Sequence, residues 1–172
     1  MATDIRFVVD LNVGRLAKWL RVMGYDTLFP REGSDNDLVR VALREGRVLV
    51  TRDAQISLRR AVRQGQLRVV YVVDDDLWSQ LRQLVEDLKL DLKGGFSRCV
   101  RCNELLQRVE KDNVADRLPP YVFHNHSDFM ECSLCLRLYW RGTHWSGMMS
   151  QLSQVYTSNA GVKPAGFGQV TT

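Results

Sequence analysis

Two C-x-x-C pairs carry all four cysteines of the chain: Cys99 with Cys102, and Cys132 with Cys135, with 29 residues between the pairs. Four thiolates on two short turns are the ligand set of a tetrahedral zinc ion, and they constrain the chain around them to a small ribbon that brings the turns together. A ribbon this short buries little core, so the metal is expected to supply most of its stability, about 10 kcal/mol or more. A redox dithiol needs only one C-x-x-C, at a helix start after a strand. A closed four-sulfur site leaves no open coordination position, so structural support and nucleic-acid contact are its expected roles. Arg98, Arg101, Arg108, Arg137 and Arg141 lie in or beside this zone, interleaved with Phe96, Tyr139, Trp140 and Trp145. Those aromatics can stack on bases or form the ribbon's small core. His124 and His126 are surplus as ligands beside four cysteines, and His144 suits packing as well as chemistry.

The rest of the chain reads differently. With 172 residues, it has room for one domain and a small appendage. The 45% hydrophobic and 26% charged composition excludes a wholly disordered protein. Runs such as Val69-Val70-Tyr71-Val72-Val73 fall far short of the roughly 20 apolar residues a membrane span needs. Met1 to Arg6 shows no basic flank before an apolar stretch, so no secretory leader is expected. The expected compartment is the cytoplasm, where reduced thiols favour metal over disulfides. Three zones follow: residues 1–93 as an α/β domain, 94–150 as the zinc ribbon, and 151–172 as a polar, small-residue tail expected to be disordered.

Within the first zone, short β-like runs alternate with amphipathic helical runs, the pattern of a parallel sheet. Strands are expected at 6–10, 25–29, 47–51 and 68–73. Asn12 can cap the first helix, with Val13, Leu16, Ala17, Leu20 and Met23 inward and Arg15, Lys18 and Arg21 on the opposite side. Leu38, Val39, Ala42 and Leu43 mark the inner face of the second helix, a basic helix runs to Gly65, and Leu77 to Leu88 mark the last.

In an open parallel sheet the site lies beyond the carboxyl ends of the strands. Here Asp10 follows the first strand, Asp53 the third, and Asp74 to Asp76 the fourth, while Asp35 opens a helix toward the same edge. Carboxylates gathered there repel one another unless a cation sits between them. Hard oxygen ligands favour magnesium or manganese, and two such ions can activate a water and stabilise the leaving oxygen of a phosphodiester. The alternative for each acid is helix capping. Asp10 and Asp53 are the least suited to it, because each follows a buried strand and Asn12 is the better cap for the first helix.

The net charge of +4 is a weak argument for a nucleic-acid partner. Its distribution says more: eight arginines against two acids between Arg40 and Arg68 suit either phosphate contact or a salt-bridged helical surface. No G-x-G-x-x-G follows the first strand, which excludes a Rossmann cofactor role. A receiver-type phosphate domain needs a second acid beside Asp10, where Leu11 and Asn12 stand, and a lysine after a late strand, where Val73 leads to aspartates.

Asp10 with Gly14-Arg15-Leu16-Ala17-Lys18-Trp19-Leu20-Arg21 and Gly24-Tyr25-Asp26-Thr27 resembles the opening of one family. Asp35 with Leu38 and Ala42, Leu49-Val50-Thr51-Arg52-Asp53, Ser97-Arg98-Cys99 to Cys102-Asn103, Pro119-Pro120, Cys132 to Cys135, and Tyr139 to Trp145 follow in its order. The family is the PIN-like ribonuclease domain named after the Mut-seven C-terminal region, and the resemblance spans about residues 5–149. It implies a PIN-like three-layer α/β domain with a mostly parallel sheet, followed by a zinc ribbon, acting as a metal-dependent ribonuclease on RNA. Carried over by motif, the acids around magnesium or manganese are Asp10, Asp35 and Asp53, with Asp37 competing with Asp35. A fourth comes from Asp74 to Asp76, with Asp74 taken first although the register is open. Arg15, Lys18 and Arg52 flank the acids as phosphate ligands, and Cys99, Cys102, Cys132 and Cys135 hold a structural zinc. Asn12-Val13 before Gly14 departs from the family pattern but leaves the acid and the Gly-Arg pair in place. The competing reading is a non-catalytic RNA-binding module stabilised by zinc.

Overall fold

A computed structural model describes residues 5–92 and 97–157. Four short parallel strands form the sheet: β1 (Phe7–Val9), β2 (Thr27–Leu28), β3 (Val48–Thr51) and β4 (Val69–Tyr71), in the spatial order β2-β1-β3-β4. β1 and β3 are buried along their whole length, which explains why they read as unbroken apolar runs rather than alternating ones. The chain leaves β1 toward β2 on one side and returns to β3 on the other. The order therefore reverses between β1 and β3, where an open α/β sheet has its crevice.

Helices cover both faces. α1 (Arg15–Val22), α5 (Leu77–Leu88) and α7 (Thr143–Thr157) pack on one face with Phe7, Val9, Val48 and Val50. α2 (Asp35–Glu45), α3 (Ala54–Ser57) and α4 (Arg60–Arg63) lie toward the other, where Leu38, Val39, Ala42 and Ile56 meet Val8 and Leu49. The chain is thus a three-layer α/β fold with a parallel sheet. Leu43, expected inward, is 41% exposed. The single basic helix expected up to Gly65 is instead the two one-turn helices α3 and α4.

A second sheet is antiparallel: β5 (Leu106–Val109), β6 (Phe129–Cys132) and β7 (Leu138–Trp140). α6 (Pro120–Asn125) lies between β5 and β6, opened by the proline pair, with Pro120 at the first helical position where its missing N–H costs nothing. α7 then leaves the ribbon and returns to the first module, burying Leu152, Val155 and Tyr156 in the core beside α5. The expectation of disorder from residue 151 is corrected for 151–157, which continue this helix. These residues are polar on average, but Leu152, Val155 and Tyr156 sit at i, i+3 and i+4 and fall on one stripe. Residues 158–172, the 93/94 boundary and Phe96 lie outside the described residues.

The ribbon is clamped to the α/β module by buried polar groups. Arg21, 8% exposed, donates from Nη1 to the carbonyls of Val100 and Arg101 (both 3.0 Å) inside the first C-x-x-C turn, and from Nε to Thr27 O (2.9 Å). Asn103, just past that turn, accepts from Thr27 N (2.8 Å) and donates to Asp26 Oδ1 (2.7 Å). Asp26 in turn holds the buried guanidinium of Arg47 through both carboxylate oxygens. The reading of Arg21 as part of an exposed basic side of α1 is thereby corrected. A guanidinium is tolerated there because three carbonyls take its protons.

Burial opposes ionisation of Asp26, but the hydrogen bonds from Arg47 and Asn103 outweigh it and hold the carboxyl below its ordinary range. A carboxylate with a depressed folded value stabilises fully above its unfolded value of about 3.9, and the gain disappears as pH falls through the folded value. Asp26→Asn is expected to cost about 2 kcal/mol at pH 7 in urea unfolding, with the gap to wild type closing below about pH 4.

Candidate active site and metal centre

Parallel pairing brings the first two acids together. Asp10 continues β1, its N–H donating to Val50 O of β3 (3.0 Å). Thr51, the last residue of β3, is fully buried, and its hydroxyl donates to Asp10 Oδ2 (2.6 Å). The Thr51 hydroxyl oxygen in turn accepts from the backbone N–H of Asp53 (2.9 Å). One hydroxyl therefore ties both acids to the crevice between β1 and β3. Asn12 reinforces the link, its Oδ1 accepting from Arg52 N (3.2 Å).

Both acids also cap, against expectation. Asp10 accepts from Leu11 N at the start of a 3-10 turn over Leu11–Val13, and Asp53 accepts from Gln55 N (2.8 Å) at the start of α3. Asn12 lies inside the 3-10 turn and does not cap α1, which begins at Arg15 after Gly14. Capping occupies only part of each carboxylate, which has lone pairs to spare for a cation. Gly14 is required here: a Cβ on it would lie 2.3 Å from the Phe29 ring, which closes over the start of α1.

Asp35 and Asp37 part company. Ser34 caps α2 in a capping box, and Asp37 is consumed by it, accepting from Ser34 N (3.0 Å) and Ser34 Oγ (2.8 Å) while pairing with Arg40. Those bonds hold the Asp37 carboxyl below its ordinary range. Asp35, at the first turn of α2, is exposed and stands 3.9 Å from Arg59. It follows β2 and so belongs to the carboxyl edge of the sheet. The three aspartates after β4 also divide. Asp76 caps α5 through Ser79 N (2.9 Å), Asp75 pairs with Arg52, and Asp74 accepts from Asp76 N (2.9 Å). Arg15 lies near enough to Asp76 to help hold its carboxyl down, after the bonds from Ser79. Of the three cations read as phosphate ligands, Arg15 and Lys18 are exposed on α1, whereas Arg52 is committed to Asp75.

The arginine run from 40 to 68 resolves largely into internal pairs. Arg40 meets Asp37, Arg44 meets Glu45, Arg47 meets Asp26 and Glu45, and Arg59 meets Asp35.

The cysteines converge fully. Among the described residues, they form the group of metal-capable side chains whose ligand atoms all lie within 4.8 Å of one another; the aspartates form no group so tight. The two turns share one backbone design. Cys99 N donates to Glu104 O (2.8 Å) and Asn103 N to Cys99 O (2.9 Å); Cys132 N donates to Arg137 O (3.1 Å) and Leu136 N to Cys132 O (2.8 Å). Asn103 (φ 70°) and Leu136 (φ 55°) occupy the same left-handed position in each. The Cys99–Cys135 sulfur separation of 3.7 Å matches the edge of a tetrahedron with Zn–S bonds of about 2.3 Å. Burial disfavours the Cys99 thiolate, but the Tyr139 hydroxyl (3.1 Å) and backbone N–H groups outweigh it, leaving the thiol at about 7. Burial and the neighbouring Cys135 and Cys99 push Cys102 to about 12. Four thiolates at this spacing need a dication to coexist, and the donor set fits zinc.

Three contributors were not assigned these roles from the sequence. Thr51 is the bridge between the acids, Arg21 the clamp on the ribbon, and Asn103 the contact between the first turn and β2. Only Thr51 carried a signal, as a buried hydroxyl residue ending a strand of apolar ones.

A family model described as Mut7-C RNAse domain matches residues 5–152 of the chain. Among curated proteins and among solved structures, no match was found.

Metal analysis of the purified chain is expected to give one zinc per molecule, lost in Cys102→Ser. Removing the zinc should strip hydrogen-exchange protection from the ribbon strands β5 to β7 while β1 and β3 stay protected.

Proposed function

The chain belongs to the Mut7-C RNAse domain family, and from that premise we propose that it is a divalent-metal-dependent ribonuclease whose centre is the Asp10–Thr51–Asp53 cluster. The observation that supports this most is that one buried hydroxyl fixes two acids at the point where the strand order reverses. Asp10 and Asp53 are the primary ligands of magnesium or manganese, an all-oxygen set that suits these hard cations. Asp35 and Asp74, on the same edge, complete the set. The metal supplies Lewis-acid activation of water and neutralises charge on the phosphodiester.

The chain's own residues do the rest. Thr51 keeps the Asp10 carboxylate oriented by donating to it. Asp35, held at the first turn of α2, positions the attacking water. Arg15 and Lys18, three residues apart on one side of α1, take the substrate's phosphates. As the water oxygen bonds to phosphorus the P–O3′ bond breaks, the water gives up a proton to solvent, and the departing 3′ oxygen takes one up from solvent. The zinc ribbon is structural and adds RNA contact.

A second reading, an RNA-binding module without catalysis, is favoured by the aspartates forming, among the described residues, no metal-capable group as tight as that of the cysteines. Turnover separates the two. With labelled RNA and manganese, the wild-type chain is expected to cleave and to stop when manganese is omitted. Asp10→Asn and Asp53→Asn should each lower the rate by 10³-fold or more, about 4 kcal/mol in the barrier, with zinc content unchanged. Undiminished cleavage by Asp10→Asn protein contradicts the assignment.

A further inference from the structure

A groove of about 1210 Å³ runs between α1 and the ribbon and contains none of the acids of the carboxyl edge. Its lining includes five cationic side chains, Lys18, Arg98, Arg101, Arg137 and Arg141, and no Asp or Glu. Among the described residues none of the five forms an ion pair. That contrasts with the arginines of 40–59, most of which are neutralised internally. The first turn of the 15-residue helix α7 also borders the groove, adding the positive end of its dipole. Aromatic rings lie among the cations: Tyr121 is 74% exposed, and Trp140 and Trp145 are partly so. Trp140 lies against Gly142, where a Cβ would come within 2.9 Å of its Nε1.

We propose that this groove seats a single-stranded RNA segment, its phosphates on the five cations and its bases against Tyr121, Trp140 and Trp145. The inference rests on the ribonuclease reading and assigns that site its substrate class. Charge selects a polyanion, and partly exposed rings select one whose base faces are free to stack, which a duplex does not offer. The volume exceeds that of a pocket for one small molecule and suits several nucleotides. The path to the acids is drawn on α1. Val22 and Lys18 line the groove, and Arg15 continues the same stripe toward Asp76 and the carboxyl edge, a span of about 10 Å along the helix.

The test uses the zinc-loaded full chain in buffer free of magnesium and manganese, so that binding is read without cleavage. Labelled oligouridylate is expected to bind at least tenfold more tightly than an RNA duplex of equal length. Replacing Arg101 and Arg141 by Gln should lower the slope of log affinity against log salt by about 1.4, the share of two phosphate contacts. Lys18→Gln, at an exposed helix position, should lower it by about 0.7 if the double variant does not fold. Tyr121→Ala should weaken binding about tenfold. Photo-crosslinking of 4-thiouridine RNA to the unaltered chain should label Tyr121, Trp140 or Trp145. Equal affinity for duplex, an unchanged salt slope, or crosslinks confined to residues 60–68 would each overturn the proposal. Binding that behaves as expected without any manganese-dependent cleavage would leave the groove standing and remove the ribonuclease reading instead.

Discussion

The hydroxyl of Thr51 is where the sheet becomes a site. β1 and β3 are neighbours only because the chain doubles back across β1, and their parallel register places Asp10 and Thr51 side by side at the carboxyl edge. A buried hydroxyl must donate and accept. Here it donates to one acid and accepts from the backbone of the other, so the spacing of Asp10 and Asp53 is set by the hydrogen-bond requirement of a core residue. Capping of the 3-10 turn and of α3 by the same two acids fixes the loops that carry them. What looked like competing roles for an aspartate, cap or ligand, are compatible, since capping orients a carboxylate without exhausting it.

The ribbon is held as firmly as the acids, but by different means. Arg21 reaches from α1 into the first cysteine turn, and the Arg47–Asp26–Asn103 chain ties the far side of that turn to the starts of β2 and β3. α7 closes the loop covalently, beginning beside the ribbon and ending in the core of the first module. The cysteine turns are therefore a wall of the molecule, and they form the groove with α1. Arg98, Arg101, Arg137 and Arg141, which form no ion pair among the described residues, lie along that wall, while the arginine-rich stretch after residue 40 spends most of its charge on internal acids.

The sheet, its order of elements and the cysteine centre were legible because each depends on a short-range pattern: apolar runs for the strands, and the two C-x-x-C pairs for the turns. Other features were not. The helical end of the chain was hidden because Leu152, Val155 and Tyr156 are sparse among serines and glutamines, and only the core they enter explains them. Arg21 belonged by spacing to the outer side of α1, and its burial depends on a ribbon some 80 residues further on. Gly14 gave no hint of Phe29. The groove draws its cations from α1 and from both ends of the ribbon, so no window of the sequence contains it. For the acids, the sequence pointed to the carboxyl edge of the sheet, and it could not show that Asp37 is taken by Ser34 or Asp75 by Arg52.

The Asp10–Thr51–Asp53 cluster is proposed to be a divalent-cation site. Titration of the zinc-loaded chain with manganese, followed by electron paramagnetic resonance of the free ion, tests it directly. The expected result is saturable manganese binding that is lost when Asp10 and Asp53 are both replaced by Asn and weakened in Thr51→Val, while zinc stays bound. Manganese binding that is absent from the wild-type chain, or that survives the double replacement, would contradict it.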